Sequence, residues 1–327
     1  MKYKIAVFIL GAILICKPAG AQDKEETHFS VEWIDNFSSE KDIETEKGVV
    51  SQFLSLVTGD TEEKLLKPFN LVKYADDSYF ILDQGRFLPL IVSPEGFEVV
   101  KNDDYKTFPS LVGVCNFLDG KILFTDSKLS KIFIYDFNED ELKQFSTSLD
   151  LEQPTGIAFD ISRKKIYVAE TAKHRITVFN EKGKLLKYIG KRGTGKGEFN
   201  FPTFVTVDKQ GNLYTVDALN FRVQIFDKEG AFVSSFGEAG DATGYFNRPK
   251  GITVDSFGHI YLVDALFHTV QIFNPDGSFL YNFGGMGQVN SRFWLPVGIF
   301  IDDDNNIFIA DSYNARIQIF RLVDGKK

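Results

Sequence analysis

Residues 249–284, PKGITVDSFGHIYLVDALFHTVQIFNPDGSFLYNFG, superimpose without a gap on residues 202–237, PTFVTVDKQGNLYTVDALNFRVQIFDKEGAFVSSFG. A third copy, PVGIFIDDDNNIFIADSYNARIQIFRLVDG, covers residues 296–325. Pro202, Pro249 and Pro296 are 47 residues apart, as are Asp217, Asp264 and Asp311. The period runs back through Phe320, Phe273, Phe226 and Phe179 into PTGIAFDISRKKIYVAETAKHRITVFN from Pro154. Two more divergent copies precede it, one carrying Pro109, Asp126 and Tyr135, the other Pro68 and Asp83. Each copy holds short runs of Val, Ile, Phe and Tyr separated by Gly, Asn and Asp. In the copy from Pro249 these are GITVD, HIYLVD, TVQIF and SFLYNF, four strands per period. Four-stranded units of this length repeated in register specify a propeller, here all-β with six four-stranded antiparallel blades.

The last copy supplies only three strands, and a missing outer strand would leave a long open edge. The N-terminal VEWIDNF carries Trp33 and Phe37 four apart, the spacing of Phe232/Phe236 and Phe279/Phe283 in complete fourth strands. Residues 31–37 are therefore expected to close the sixth blade beside the strand ending at Phe320. The propeller then spans 31–327, with residues 45–58 inserted as a short helix whose Val50, Phe53, Leu54 and Val57 form an apolar stripe.

The pattern PxGIxVDxxGxIYxxDxxxxRxQxFxxxGxFxxxFG resembles the NHL repeat, from Pro68 to the C-terminus. The resemblance implies a six-bladed propeller and little about activity, because NHL propellers include scaffolds, RNA binders and a lyase.

Ahead of the repeats, Lys2 and Lys4 precede the apolar stretch Ile5 to Ile15, and Ala19-Gly20-Ala21 reads as a cleavage site. Residues 1–21 are expected to be a signal peptide, 22–30 a flexible leader, and the mature protein exported to the periplasm, cell envelope or extracellular space. Lipidation at Cys16 is the lesser alternative, since Ile15 is not the small residue that normally precedes a lipidated cysteine. No later run is apolar enough to span a bilayer. The chain carries a net charge of −8, and losing the signal peptide removes only cations, so nucleic acid is disfavoured as the partner. Cys115, the one cysteine of the mature chain, is expected to be a buried, inert thiol.

Catalytic motifs are sparse. Asp83, Asp126, Glu170, Asp217, Asp264 and Asp311 end the second strand of each blade. Glu170, Asp217 and Asp311 are followed five residues later by Arg175, Arg222 and Arg316, and Asp126 by Lys131. One carboxylate–cation pair per blade is what a repeat needs to hold its turns. His28, His174, His259 and His268 show no compact ligand spacing, so the zinc of the NHL-like amidating lyases finds no assignable ligands. GKRGTGKG, residues 190–197, ends in Gly197 where a P-loop needs Ser or Thr, and it aligns with the glycine-rich linkers of the other copies. Lys182, Lys184, Lys187, Lys191, Arg192 and Lys196 form a local basic run.

The favoured reading is a non-catalytic scaffold binding a protein, peptide or glycan, with no cofactor and no catalytic residue. The alternative is a metal-dependent lactonase- or lyase-like enzyme at the central channel, where calcium held by different blades would need no local motif. In a four-stranded antiparallel blade the loop after the second strand and the linker after the fourth share one face. On that face His174, Phe221, Phe267, His268, Tyr313 and Trp294 are the expected ligand-binding residues. The sequence sets neither the ligand nor the oligomeric state.

Overall fold

The computed structural model describes residues 29–39, 42, 63–146 and 150–324. The expected signal peptide, most of the leader and the helix at 45–58 lie outside these. Six four-stranded antiparallel sheets are arranged as blades: residues 68–99, 111–144, 154–189, 202–236 and 249–284 form blades 1 to 5. Blade 6 is composite. Its strands Ile299–Ile301, Asn306–Asp311 and Arg316–Asp324 are completed by Phe29–Phe37, paired antiparallel with Arg316–Asp324 so that Trp33 lies opposite Phe320. The expected closure is thus present, two residues longer than the aromatic spacing alone marks. Phe37 then crosses to blade 1, its ring 5.1 Å from Tyr79, which lies 5.4 Å from Phe308 of blade 6. This is the junction of blade 6 with blade 1, and three aromatic rings fill it.

The same geometry repeats at other junctions. Phe236 of blade 4 packs 4.8 Å from Phe273 of blade 5, and Phe283 packs 4.9 Å from Phe320 of blade 6. The periodic phenylalanines of the sequence are therefore the inter-blade core, and Phe226, Phe246, Phe273, Phe293 and Phe320 are almost completely buried. Aromatic pairs at such distances add about 0.5–1.5 kcal/mol each beyond area burial. Outer strands carry bulges, at Ile225/Phe226 against 232–234 for example, which twist the exposed edges away from flat pairing.

Around the axis the innermost strands approach closely. A Cβ on Gly113, Gly156, Gly251 or Gly298 would fall 2.3–2.6 Å from a carbonyl oxygen of the next blade. Only glycine admits that approach without displacement. Blade 1 has Asn70 at this position, and its amide donates to Val112 O at 3.1 Å across the same gap. Blade 4 has Phe204, whose ring stacks 6.3 Å from Phe69 on the opposite side of the axis. Beyond this pair the channel widens into a cavity of about 570 Å³ that reaches the turns following the first strands, among them Asp208–Gln210, Asp255–Gly258 and Asp302–Asp303.

Candidate functional site: the loop face

The six carboxylates ending the second strands are completely buried, and the structure uses them in two ways. Glu170, Asp217 and Asp311 each accept the Nε of the arginine five residues on, at 2.8 Å. Asp217 and Asp311 also receive Gln224 and Gln318 on the third strand, while Glu170 receives Thr177. Burial pushes the Glu170 carboxyl upward, and the Thr177 and Arg175 hydrogen bonds outweigh it, leaving the pKa below its ordinary value. Asp83, Asp126 and Asp264 lack that arginine and accept two amides of their own loop: Gly85 and Arg86, Lys128 and Leu129, Leu266 and Phe267. The expected Asp126–Lys131 pair does not form through the side chains, because Lys131 turns to the Tyr105 hydroxyl and ring. All six carboxylates are spent on structure.

Immediately before each third strand one residue takes the left-handed conformation: Phe87, Ser130, His174, Phe221, His268 and Ala315, with φ between 51° and 59°. Their side chains decide how the next blade is entered. Where the side chain can accept, as in Ser130, His174 and His268, it receives the amide of the linker residue in the following blade. These bonds are Gln153 N to Ser130 Oγ at 3.4 Å, Phe201 N to His174 Nδ1 at 3.1 Å and Leu295 N to His268 Nδ1 at 3.0 Å. Those three linker residues are themselves left-handed. Where the side chain cannot accept, as in Phe87, Phe221 and Ala315, the amides of Ser110, Arg248 and Lys67 go to the buried carboxylate instead. His174 and His268 thus use Nδ1 as an acceptor, which places the ring proton on Nε2. Burial holds the His268 pKa below its ordinary value.

The linkers are pinned as firmly. Gln224, Gln271 and Gln318 each accept one linker amide and donate to a linker carbonyl, and Arg222 adds bonds to Thr194 O, Gly195 O and Glu198 O. The P-loop-like segment is therefore a structural linker whose carbonyls are already engaged.

On this rigid face sit exposed apolar side chains. Trp294 and Tyr313 lie 6.0 Å apart with Tyr313 below Lys67 Nζ at 5.0 Å, a contact joining blade 6 to blade 1. Phe201, Leu219, Leu266, Leu66 and Phe87 extend the surface, with exposures across the set from 36% at Phe201 to 53% at Leu219. They occupy blades 4, 5, 6 and 1, which are consecutive around the ring. Blades 2 and 3 present Lys128, Ala172 and Lys173 at the matching loop positions. Of the residues expected from sequence, Trp294 and Tyr313 meet in this arc, Phe221 and Phe267 are half-buried beside it, and His174 and His268 lie beneath its linkers. The sequence reading missed Phe201, Leu219, Leu266, Leu66 and Phe87. The in-register alignment of Leu219 and Leu266 with the predicted Tyr313, each two residues after its carboxylate, was the signal available for two of these positions.

The cavity at the other end is lined by none of those six residues. Its turn carboxylates are also engaged: Asp208 by Asn212 and Tyr214, Asp255 by His259 and Tyr261, and Asp302 by Asn306 and Lys73. Cys115 lies half-buried on its wall, and burial pushes the thiol pKa up. Among the described residues, no three His, Cys, Asp or Glu side chains converge as a metal-holding group, and no helix is long and apolar enough to cross a membrane.

Residues 152–221 match a family model described as a 6-bladed beta-propeller, and residues 293–320 match the NHL repeat. No curated protein matches the sequence. Among solved structures the chain is similar to virginiamycin B lyase from Staphylococcus aureus, at 15% identity over 90% of this chain and 100% of that one, with a TM-score of 0.58. It is similar to an auxiliary nutrient binding protein from Bacteroides ovatus, at 12% identity over 91% and 78%, TM-score 0.63. A gluconolactonase from Xanthomonas campestris aligns at 13% identity over 89% and 98%, TM-score 0.62. At such identities the likeness is one of fold. The chain is a six-bladed β-propeller whose last blade matches the NHL repeat.

Proposed function

We propose that this protein is an exported, non-catalytic binding propeller that recognises a protein, peptide or glycan on its loop face. The observation that carries the reading is the apolar arc over blades 4, 5, 6 and 1. Features needed by the fold recur in every blade, as the buried carboxylate and the left-handed residue do, whereas this arc occupies only one side of the ring. Exposed aromatic and aliphatic groups on loops held by buried polar networks lose little conformational entropy on binding, and clustered Trp and Tyr commonly carry binding energy. Export rests on the leader sequence.

Trp294 and Trp33 are the only tryptophans, so a Trp33→Phe full chain carries its indole emission on the arc. Titrating it with panels of soluble oligosaccharides and peptides should give a saturable change for one class. That change should disappear in Leu266→Ser/Tyr313→Ser and persist in Ile161→Ser on the opposite face. Ligands whose binding depends on the opposite face and ignores Leu266 and Tyr313 would overturn the assignment.

The second reading, a metal-dependent enzyme at the channel, is favoured by the 570 Å³ cavity, which has the size of a small-molecule site. Elemental analysis of the purified protein for stoichiometric calcium or zinc separates the two.

A further inference from the structure

The solvent-facing charge of the inner loop face is one-sided. In the loop segments after the second strands and the linker ends entering the first strands, the cations are Lys67, Arg86, Lys128, Lys173, Arg248 and Lys250. Glu152 lies within these segments, and Glu63 and Asp150 beside them pair with Arg86 and Lys173, which leaves Lys67, Lys128, Arg248 and Lys250 without an ion-pair partner among the described residues. This is a positive rim on a chain of net charge −8. Such a field concentrates anionic partners at one face.

Lys250 stands apart within this rim. It is the second residue of the inner strand Pro249–Val254, the position that Phe69 holds in blade 1, from which Phe69 reaches across the axis to Phe204. The ring-mates at that level are Val112, Thr155, Thr203 and Val297, so Lys250 is the one charge there. It is half-buried and has no hydrogen-bond or ion-pair partner among the described residues. Burial and the neighbouring Arg248 push its pKa down to about 8, a sign that no anion compensates it. On the adjacent inner strand the Thr203 hydroxyl is buried and likewise without a hydrogen-bond partner. An uncompensated half-buried cation is costly to the fold unless a counter-charge arrives. The Phe69–Phe204 stack, formed by the residue that aligns with Lys250 and by Phe204 of the opposite blade, lies across the axis.

We propose that the partner of the loop face is an acidic, apolar peptide segment of another protein, which inserts a carboxylate at the axis against Lys250 while its apolar side chains lie on the arc of Trp294, Tyr313, Leu266 and Leu219. This rests on the binding-propeller reading and narrows it. The aliphatic members of the arc favour a peptide over a sugar, since leucines match apolar side chains and offer nothing to hydroxyls.

The full chain would be tested against an array of heptapeptides combining Asp or Glu with Leu and Phe, each paired with its Asn or Gln counterpart. Uronate oligosaccharides and a single-stranded RNA oligonucleotide form separate arms. The expected result is binding of acidic peptides at least tenfold tighter than their neutral partners, weakening with salt. Lys250→Met should remove that preference, Lys250→Arg should keep most of it, and Lys250→Met should melt no lower than the parent. Acidic peptides binding no better than neutral ones, or a preference untouched by Lys250→Met, would overturn the inference. So would selective binding of the oligosaccharides or the RNA. If peptide binding depends on Leu266 and Tyr313 but not on Lys250, the carboxylate inference fails while the loop-face reading stands. If it depends on neither, both fail.

Discussion

At the loop end of each blade a buried carboxylate reaches back 16 to 18 residues to the linker that enters its own blade, and at three junctions a Ser or His of the preceding blade holds the linker as well. At the turn end the carboxylates act mainly within their own hairpin, although Asp302 also binds Lys73 of the next blade. Asp208, Asp255 and Asp302 each cap a turn of their own hairpin, receiving the amide four residues on. One end is thus a network built on completely buried carboxylates, and the other a set of capped turns whose links between blades, Lys73 to Asp302, Arg163 to Gln210 O and Asn305 with Ser256, are partly or wholly exposed. A surface built on the first kind of support can display apolar groups in fixed positions, which is why the recognition face is proposed there and not at the cavity mouth. The cross-mouth pair Lys209–Asp303, 2.9 Å apart but largely exposed, adds little to the second kind.

The sharpest way to break this contrast is to remove one carboxylate from each end. Asp217→Ala leaves Arg222, Gln224 and the Asn200 amide without their common partner and is expected to cost about 3–5 kcal/mol. Asp208→Ala removes a turn cap and should cost about 1–2 kcal/mol. Urea unfolding of both variants measures the difference, and equal losses would show that the two ends are held alike.

Next in size is the histidine junction. His268→Leu orphans the Leu295 amide and should cost about 1–3 kcal/mol, read by the same unfolding curves. Its pH dependence has a definite sign. The folded pKa of His268 lies below the ordinary 6.5, so between the two values the unfolded chain binds more protons than the folded one. The histidine's contribution is complete above pH 6.5 and falls as the pH drops through that window. The stability gap between wild type and His268→Leu should narrow on acidification; a constant gap from pH 7.5 to 5 would refute the neutral-acceptor role.

A smaller effect of opposite sign is expected at Lys250. Its folded pKa of about 8 against an ordinary 10.5 means that the unfolded chain binds more protons between those values. The lysine's cost to stability is therefore full below pH 8 and relieved as the pH rises towards 10.5. Lys250→Met should melt higher than wild type at pH 7 and lose that advantage by pH 10.5, measured by scanning calorimetry.

The smallest change belongs to the arc itself. Leu219→Ser and Leu266→Ser expose no new core and should shift stability by no more than about 0.5 kcal/mol. A larger loss in thermal melts would mean that these side chains seal the blades and are not a recognition surface.

Legibility followed the repeat. Trp33 and Phe37 could be matched to Phe279 and Phe283 because closing strands obey the same inter-blade packing as continuous ones, and the structure pairs Trp33 with Phe320 accordingly. The arginine after Glu170, Asp217 and Asp311 foretold three buried pairs, because position and partner lie five residues apart in one turn. Lys131 escaped the same rule, since Tyr105 comes from a linker whose course no local pattern reveals. Histidines 174 and 268 were read as surface groups for a related reason. Their partners, the Phe201 and Leu295 amides, are 27 residues away and belong to the next blade.

The sequence alone determined the six blades, their register, the composite sixth blade and the face on which loops and linkers meet, because a 47-residue period leaves one way to bury its periodic aromatics. Only the tertiary structure decided that the carboxylates are all consumed, that the histidines clip neighbouring blades, and that the apolar arc occupies one side of the ring. It also decided that Lys250 stands unpaired on an inner strand. These depend on which side chains of different blades come within hydrogen-bonding reach when the ring closes. That is a property of distances across the axis and between blades, and linear spacing does not encode it.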